Sequence, residues 1–375
     1  MIQRKLEKTI ESWLFKGKII VLYGPRQVGK TTLVKKFVDK FCPDNPKAYI
    51  NCEIIDNQIA LLDQNPTRLR SFLGEGKFFV LDEAQKIPDI GTILKLLIDT
   101  FPDVQIIATG SSSFDLANKI NEPLTGRSLE FIMYPISYSE FASTYSMREA
   151  NERLGDFLRF GMYPDVLSKK DNDAQVLLQI ITGQYLYKDL FDYEDIRKPD
   201  LILKLLRLLA FQIGNEFSIN ELSKKLEVNS KTVLRYVDLL EKAFVIFRLS
   251  PLSRNPRNEI GRKQKIYFFD LGIRNSLIQR YNSLEFRDDI GALWENFCII
   301  ERKKKLQYEL SFANQFFWRS VGGGEVDYIE ESNGKIIGYE FKWRDNKLKA
   351  PKAFVKDYSA EIKLINRDNF TDFVI

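Results

Sequence analysis

The sequence predicts an α/β fold whose first domain is built on a doubly wound parallel sheet. Short, continuous apolar runs are typical of buried parallel strands, and in the first third of the chain four such runs alternate with helical patterns. These runs are KIIVLY (18–23), KAYINC (47–52), KFFVLD (77–82) and VQIIATG (104–110). The first run leads directly into a glycine-rich turn and then into a helical stretch, TTLVKKFVDKF (31–41). We place this domain at residues 1–145.

The composition limits the chemistry that the chain can perform. With 375 residues, 44% of them apolar, it is long enough for two to three domains with real cores. The absence of histidine excludes Ser-His-Asp and Cys-His hydrolases and every His-ligated metal site. Three widely spaced cysteines indicate neither a disulfide framework nor a zinc site. Catalysis must therefore use carboxylates, lysine, arginine, hydroxyls and divalent cations.

Residues 24–31, GPRQVGKT, fit the pattern G-x-x-x-x-G-K-[ST] of a phosphate-binding loop, or P-loop. Glycines let the backbone amides surround phosphate oxygens, and the following helix adds the partial positive charge of its N-terminus. In this pattern Lys30 reaches the β- and γ-phosphates of ATP, and Thr31 binds Mg²⁺. The predicted nucleotide-binding residues are Gly24, Pro25, Arg26, Gln27, Val28, Gly29, Lys30, Thr31 and Thr32.

An acidic pair supports the same site. The stretch FFVLDEAQ (78–85) puts Asp82 and Glu83 at the end of an apolar strand. We expect Asp82 to hold Mg²⁺ together with Thr31. We expect Glu83 to orient and activate the attacking water, because phosphoryl transfer to water needs a positioned acceptor.

Three further side chains complete the predicted catalytic set. Ser111 follows the strand-like run that ends at residue 110, where a hydroxyl could touch the γ-phosphate or the water. A serine at this position could equally cap the next helix. Arg26 and Arg127 are candidates for stabilising charge in the transition state, with surface cations as the alternative interpretation.

The motifs together carry a resemblance to a known family. The run from GPRQVGKT through LDEAQKIP, TGSSS and LTGR resembles one bacterial and archaeal group of AAA-type P-loop ATPases. The similarity continues into GMYPDV, YLYKDL and YFFDLGIRN, and so covers nearly the whole chain. It implies that the protein binds ATP and hydrolyses it. In this group the C-terminal half has no assigned function, so the resemblance implies no pathway.

The middle of the chain predicts a helical segment at residues 146–213 and a winged helix at 214–283. Residues 217–243 indicate a helix, a turn and a second helix, and two β-like runs joined by a basic loop follow. On the second helix Lys231 and Arg235 share a face that could contact DNA, opposite the apolar Val233 and Val237. A solvated helix face, or a packing module that does not bind DNA, are the alternatives.

Residues 284–375 predict a small α/β domain with the order helix, three strands, helix, strand. This order, with Asp327 and the Glu340-x-Lys342 pair, resembles the PD-(D/E)XK nuclease fold, and Glu295 on the preceding helix adds a third carboxylate. Carboxylates of this kind hold Mg²⁺, and the lysine positions the nucleophile or neutralises developing charge. Alternation along a strand puts Glu340 and Lys342 on one face. The alternative is a nuclease-like fold that does not cut and acts only in binding.

These features predict a multidomain Mg²⁺-dependent ATPase whose nucleotide state controls how its C-terminal domains engage DNA. The alternatives are an ATP-linked metal-dependent nuclease and a protein-interaction switch that does not touch nucleic acid. The net charge of +5 permits a polyanionic partner without requiring one. No apolar run approaches the ~20 residues that span a bilayer, so we expect a cytoplasmic protein without a membrane partner. A homo-oligomer is compatible with the sequence, but no residue identifies its interface.

Overall fold

The computed structural model describes residues 2–110, 124–186, 199–253, 263–320, 322–344 and 347–375. Contacts divide the chain into two compact units. The N-terminal unit comprises residues 3–135 and 242–244, and the C-terminal unit comprises residues 136–241 and 245–375. The predicted division into four segments remains a prediction.

A parallel sheet of five strands forms the centre of the N-terminal unit, in the order β2-β3-β4-β1-β5. Every neighbouring pair in this sheet runs parallel. The strands are β1 (Ile19–Tyr23), β2 (Tyr49–Asn51), β3 (Phe78–Asp82), β4 (Gln105–Gly110) and β5 (Ser128–Ile132). Strands β1, β3 and β4 are buried along their whole length, which is why their sequences are continuous apolar runs. The predicted parallel α/β sheet is confirmed.

The helices of the N-terminal unit connect these strands. They are α1 (Lys5–Glu11), α2 (Lys30–Phe41), α3 (Ile55–Leu62), α4 (Pro66–Leu73) and α5 (Ile90–Thr100). Strand β5 was not predicted from the sequence, because it pairs on one side only and Phe131 is its single buried residue. An edge strand of this kind lacks the continuous apolar run that marks the buried strands.

The C-terminal unit contains a seven-stranded sheet in the order β12-β11-β10-β9-β7-β8-β6. Its strands are β6 (Glu216–Phe217), β7 (Ile246–Pro251), β8 (Gln264–Phe268), β9 (Asn314–Arg319), β10 (Glu325–Ser332), β11 (Lys335–Phe341) and β12 (Glu361–Ile365). Neighbouring pairs run antiparallel, except that β7 pairs parallel with β9 and β11 pairs parallel with β12.

The helices of this unit form two groups, one before the first strand of the sheet and one interspersed with the strands and following them. The first group comprises α6 (Tyr138–Thr144), α7 (Met147–Glu152), α8 (Leu154–Phe160), α9 (Pro164–Leu167), α10 (Asp171–Ile180) and α11 (Pro199–Phe211). The second group comprises α12 (Ile219–Leu226), α13 (Ser230–Lys242), α14 (Leu271–Leu277), α15 (Ile290–Tyr308), α16 (Lys352–Tyr358) and α17 (Phe370–Val374). A π-helical stretch, Ile181–Leu186, follows α10.

The sheet joins two segments that the sequence presents as separate domains. Strand β7 pairs with β9 through Ser250 opposite Phe316 and Pro251 opposite Phe317. The Leu252 amide donates to the Phe317 carbonyl at 2.7 Å and extends this pairing. The segments 214–283 and 284–375 therefore share one sheet, and side chains from both can meet on its surface.

Two of the motifs noted above, GMYPDV and YFFDLGIRN, meet at a buried junction. The Asp270 carboxylate accepts hydrogen bonds from the Met162 amide at 2.7 Å and from the Ile273 amide at 3.2 Å, which caps α14. Gly161 has a φ of +71°, and a Cβ there would overlap the Asp270 carboxylate. A Cβ at Gly272 would overlap the Phe160 carbonyl. These motifs therefore hold the helices of the C-terminal unit together.

We expect Gly272→Ala to lower the free energy of unfolding of the C-terminal unit by about 2 kcal/mol, because the added methyl group forces α14 away from α8. The matched control is Gly291→Ala. Gly291 is also the second residue of a helix, but a Cβ there has no atom within 4 Å. We expect this control to raise stability by up to about 1 kcal/mol. Urea midpoints of the two variants measure the difference, and equal midpoints would contradict the packing argument.

Candidate functional site

The predicted P-loop lies between the end of β1 and the start of α2, and its backbone conformation requires glycine. Gly24 has a φ of +148°, and a Cβ there would overlap the carbonyl oxygen of Met133. Gly29 has a φ of +99° and forms the N-cap of α2. Gln27 also has a positive φ, +62°. The loop therefore turns sharply before α2. Such a turn leaves the first backbone amides of the helix available to donate to a phosphate group.

The ammonium group of Lys30 lies inside this loop. Lys30 is only 5% exposed, and its Nζ donates to the carbonyl of Gly24 at 2.7 Å and to that of Pro25 at 2.9 Å. A buried ammonium needs such acceptors. These two carbonyls keep the charge at the position where the sequence predicts phosphate.

The carboxylate of Asp82, at the end of β3, is the centre of the hydrogen bonds beside the loop. It accepts from the hydroxyl of Thr31 at 2.9 Å, from that of Tyr49 at 2.5 Å and from that of Thr109. Burial and the hydrogen bond to Asp82 raise the pKa of the Tyr49 hydroxyl. The predicted metal pair, Thr31 and Asp82, is therefore in direct contact.

Glu83 follows directly and is held by two neighbours. Its amide donates to the Thr109 hydroxyl at 3.1 Å, and its carboxylate accepts from the amide group of Gln85 at 2.5 Å. Its φ of +55° marks a sharp turn of the chain after β3. Thr109 thus contacts both members of the acidic pair. Tyr49, Gln85 and Thr109 were not predicted, although Tyr49 and Thr109 lie on strands next to β3, where polar side chains gather at one sheet edge.

The remaining residues of the predicted nucleotide set lie in the loop and the first turn of α2. Val28 is fully buried, Arg26 is partly exposed and Thr32 is exposed. The carbonyl of Val28 accepts from the guanidinium of Arg4 at 2.7 Å, and the same group donates to the carbonyl of Tyr134 at 2.5 Å. Arg4, which was not predicted, therefore fixes the loop from the N-terminal segment.

The predicted catalytic set also includes Ser111 and Arg127. Ser111 lies outside the described residues. Arg127 precedes β5, and its carbonyl accepts from the amide of Ile19, the first residue of β1. It therefore lies at the amino end of the parallel sheet, whereas the P-loop follows the carboxyl end of β1. The exposed guanidinium forms an ion pair with Asp99 at 2.7 Å, so the structure does not bring Arg127 to the phosphate loop of its own chain.

A second cluster of charges lies on the seven-stranded sheet of the C-terminal unit. It contains the four residues predicted for a nuclease site: Glu295 on α15, Asp327 on β10, Glu340 on β11 and Lys342 just beyond β11. Lys342 contacts Glu340 at 2.7 Å, as the predicted shared face requires. One oxygen of Asp327 accepts from the backbone amide of Phe341 at 2.9 Å.

Three residues that were not predicted complete this cluster. Lys265 on β8 is 2% exposed, and its Nζ lies 2.7 Å from Glu325, 3.0 Å from Glu295 and 4.0 Å from Asp327. The Oε1 atom of Glu295 that contacts Lys265 also accepts a hydrogen bond from the hydroxyl of Tyr267 at 2.5 Å. Tyr267 opens the motif YFFDLGIRN, but neither it nor Lys265 was predicted for this site, because both come from the segment that was assigned to a different domain.

The electrostatics of the cluster follow from burial. The pKa of Glu295 is raised to about 7, and burial is the largest cause. The charge of Asp327 also raises this pKa, whereas the ammonium of Lys265 lowers it. Burial likewise raises the pKa of Asp327. Burial alone lowers the pKa of Lys265, but the three surrounding carboxylates outweigh it and raise that pKa above its ordinary value. The surrounding carboxylates therefore favour the charged form of Lys265.

Comparison with known proteins matches the N-terminal unit to a characterised class. Residues 16–142 match the model of an AAA domain, and residues 151–284 and 290–370 match two domain families of unknown function. The structure is similar to that of a Walker-type ATPase of Pyrococcus abyssi, with a TM-score of 0.51 and 17% identity over 74% of this chain and 96% of that one. At this identity the similarity concerns the fold.

Curated relatives match most of the chain. An uncharacterised protein of Mycobacterium tuberculosis is 29% identical over 333 residues, which are 88% of this chain and 71% of that one. An uncharacterised protein of Methanocaldococcus jannaschii is 29% identical over 383 residues, 90% of this chain and 78% of that one. The fold, the phosphate loop and the matched domain define an AAA-type P-loop ATPase domain, a class that binds nucleotide, typically with Mg²⁺. None of the helices in the described ranges has the length and apolar character needed to cross a bilayer.

We expect Thr109→Val to weaken binding of Mg·ATP by roughly tenfold, because the substitution removes one donor from Asp82 and leaves the partly buried amide of Glu83 without this acceptor. Valine keeps the shape of the side chain, so the sheet itself should be undisturbed. Thr109→Ser retains the hydroxyl and should stay within about twofold of wild type by the same estimate. Calorimetric titration with Mg·ATP measures the three affinities. A Thr109→Val protein that binds as wild type does would show that this hydroxyl does not position the acidic pair.

Proposed function

We propose that the protein binds Mg·ATP at the P-loop, hydrolyses it to ADP and phosphate, and uses the nucleotide state to control DNA engagement by its C-terminal unit. The observation that carries the first part is the contact between Thr31 and Asp82 beside the buried ammonium of Lys30. These are the three groups that a P-loop site needs for phosphate and metal.

The residues present fit a magnesium ion. A hydroxyl and a carboxylate are hard oxygen ligands, which Mg²⁺ prefers, and Thr31 and Asp82 would hold the ion directly or through water. When bound, Mg²⁺ supplies positive charge that neutralises the phosphates. Lys30 would exchange its two carbonyl acceptors for phosphate oxygens, and the glycine-rich backbone would bind the remaining oxygens.

Glu83 is the residue that we assign to the attacking water. Its carboxylate would accept a hydrogen bond from the water, orient it toward the γ-phosphate and take up its proton. Gln85 and Thr109 act as positioning residues, because they hold the side chain and the amide of Glu83 respectively. The match to an AAA domain and the Walker-type ATPase fold support this assignment.

Two substitutions separate binding from hydrolysis. We expect Lys30→Ala to lower ATP affinity at least tenfold, since it removes the buried charge that faces the phosphates. We expect Glu83→Gln to leave affinity within a few-fold of wild type and to lower the hydrolysis rate by about 10²-fold or more, because glutamine cannot accept the proton.

The control for these variants is Lys40→Ala. Lys40 lies on the same helix as Lys30 but near its other end, where it is exposed and pairs with Glu11 at 2.7 Å. Its loss should leave both binding and phosphate release unchanged. Normal hydrolysis by the Glu83→Gln protein would require another residue to activate the water.

The proposal of DNA engagement rests on the middle of the C-terminal unit. Helix α11, strand β6, helices α12 and α13 and the antiparallel strands β7 and β8 follow one another in the order of a winged helix, and we infer that they form one. Val233 and Val237 are buried on α13, whereas Lys231 and Arg235 are exposed. Of the predicted basic loop, residues 254–263, only Lys263 lies within the described residues.

We expect the double substitution Lys231→Ala and Arg235→Ala to weaken DNA binding at least tenfold and to reduce the salt slope of log K by about 2, one for each lost phosphate contact. The matched control is Lys169→Ala with Lys170→Ala, which removes the same charge from exposed positions between α9 and α10. Fluorescence anisotropy over a range of salt concentrations measures both. Equal binding by the two double variants would exclude α13 as the contact surface.

Control by the nucleotide is tested in the same assay. The proposal expects the DNA affinity to differ between the nucleotide-free, ADP-bound and ATP-bound protein, with the Glu83→Gln variant used to hold the ATP state. If the affinity is the same in all three states, ATP does not control this step.

A further inference from the structure

The acidic cluster of the C-terminal unit already contains a cation of its own. We propose that the ammonium group of Lys265 takes the place of a divalent metal among Glu295, Glu325 and Asp327, so that this unit holds no metal there and does not cut nucleic acid. The inference concerns side chains within the C-terminal unit and does not depend on nucleotide binding.

The position of Lys265 is the first argument. Its Nζ lies within hydrogen-bond distance of one carboxylate oxygen of Glu325 and one of Glu295, and 4.0 Å from an oxygen of Asp327. The ammonium also lies 5.5 Å from the centre of the buried ring of Phe317. Two of the carboxylates predicted to bind a metal, Glu295 and Asp327, and the neighbouring Glu325 therefore converge on a lysine.

The acids of the cluster have further partners besides Lys265. Tyr267 donates to the oxygen of Glu295 that already contacts Lys265, and the second oxygen of Asp327 accepts from the amide of Phe341. The remaining predicted acid, Glu340, is paired with Lys342. Across the residues that the structure describes, no group of three or more acidic or cysteine side chains is arranged to hold a metal ion. The residues present therefore do not fit the metal that the nuclease resemblance implies.

Repulsion between cations also opposes a metal at this cluster. A divalent cation bound to Glu295 or Glu325 would share these carboxylates with a buried ammonium, and like charges at such short separations repel each other. An ammonium satisfies the acids, but it does not act as a Lewis acid and has no open coordination position for water. The pairing is therefore stable and chemically inert.

The origin of Lys265 explains what the pairing achieves. Lysine 265 comes from β8, whereas its partners come from α15 and β10, which belong to the segment predicted as a separate domain. The cluster thus links the two segments that share the seven-stranded sheet. The acids that would bind a metal in a separate nuclease domain here form ion pairs that connect β8 to α15 and β10.

Titration of the nucleotide-free protein with Mn²⁺, followed by the electron paramagnetic resonance signal of free Mn²⁺, tests the proposal. We compare wild type with Asp327→Asn, which keeps an acceptor for the Phe341 amide but removes one carboxylate charge. The proposal expects the two binding curves to coincide, and expects both proteins to leave linear and supercoiled DNA uncut in Mn²⁺. Mn²⁺ binding or DNA cleavage that Asp327→Asn abolishes would overturn it.

A second variant tests whether Lys265 is what excludes the metal. Lys265→Met keeps the length of the side chain and removes its charge, and we expect this protein to bind one additional Mn²⁺ at least tenfold more tightly than wild type. Adding Asp327→Asn to it should abolish that gain. Lys363→Met, an exposed lysine on β12 of the same sheet, is the control and should gain nothing. A folded Lys265→Met protein that binds Mn²⁺ no more tightly than wild type would overturn the proposal. If this variant fails to fold, the comparison of wild type with Asp327→Asn decides alone.

Discussion

The nucleotide site depends on the hydrogen bonds that converge on the carboxylate of Asp82. Three hydroxyl groups, from the start of α2 and from the two strands beside β3, donate to it. A buried carboxylate that accepts several hydrogen bonds is held in one orientation. The contact with Thr31 is possible because parallel strands bring their carboxyl ends to one edge of the sheet, where the P-loop also lies. The same arrangement fixes Glu83, through Thr109, at the next position of the chain.

Buried charges organise the C-terminal unit in a different way. Asp270 binds the backbone of α14 and of the segment after α8, and two glycines allow the close approach. Lys265 joins β8 to α15 and β10. In both places the charged group is satisfied entirely by protein atoms, so burial is compensated without a ligand. These interactions need partners from distant parts of the chain, and they make residues 136–241 and 245–375 one compact unit.

Much of the fold could be predicted because its signals are local. The run KIIVLY predicted β1 to within one residue, and GPRQVGKT identified the loop, since continuous burial and the turn geometry each impose a pattern on neighbouring residues. Strand β5 was missed because an edge strand shows no such run. The five-residue helix α17 was missed because it is too short to display a helical period, although Phe370 and Phe373 are buried.

The two acidic sites show why a motif alone does not define chemistry. Asp82 ends an apolar strand and Asp327 lies within one. The sequence around each residue predicted that it binds a metal. Around Asp82 the nearest groups are hydroxyls, and the nearby ammonium of Lys30 donates to two backbone carbonyls that phosphate oxygens can replace. Around Asp327 the counter-charge is Lys265, which is attached to another strand of the same sheet and contacts two further carboxylates. A ligand can displace the first set of partners at little cost, but it can displace the second only by separating buried opposite charges. The surroundings of each carboxylate, which come from remote parts of the chain, therefore decide whether it can bind a ligand or is part of the architecture.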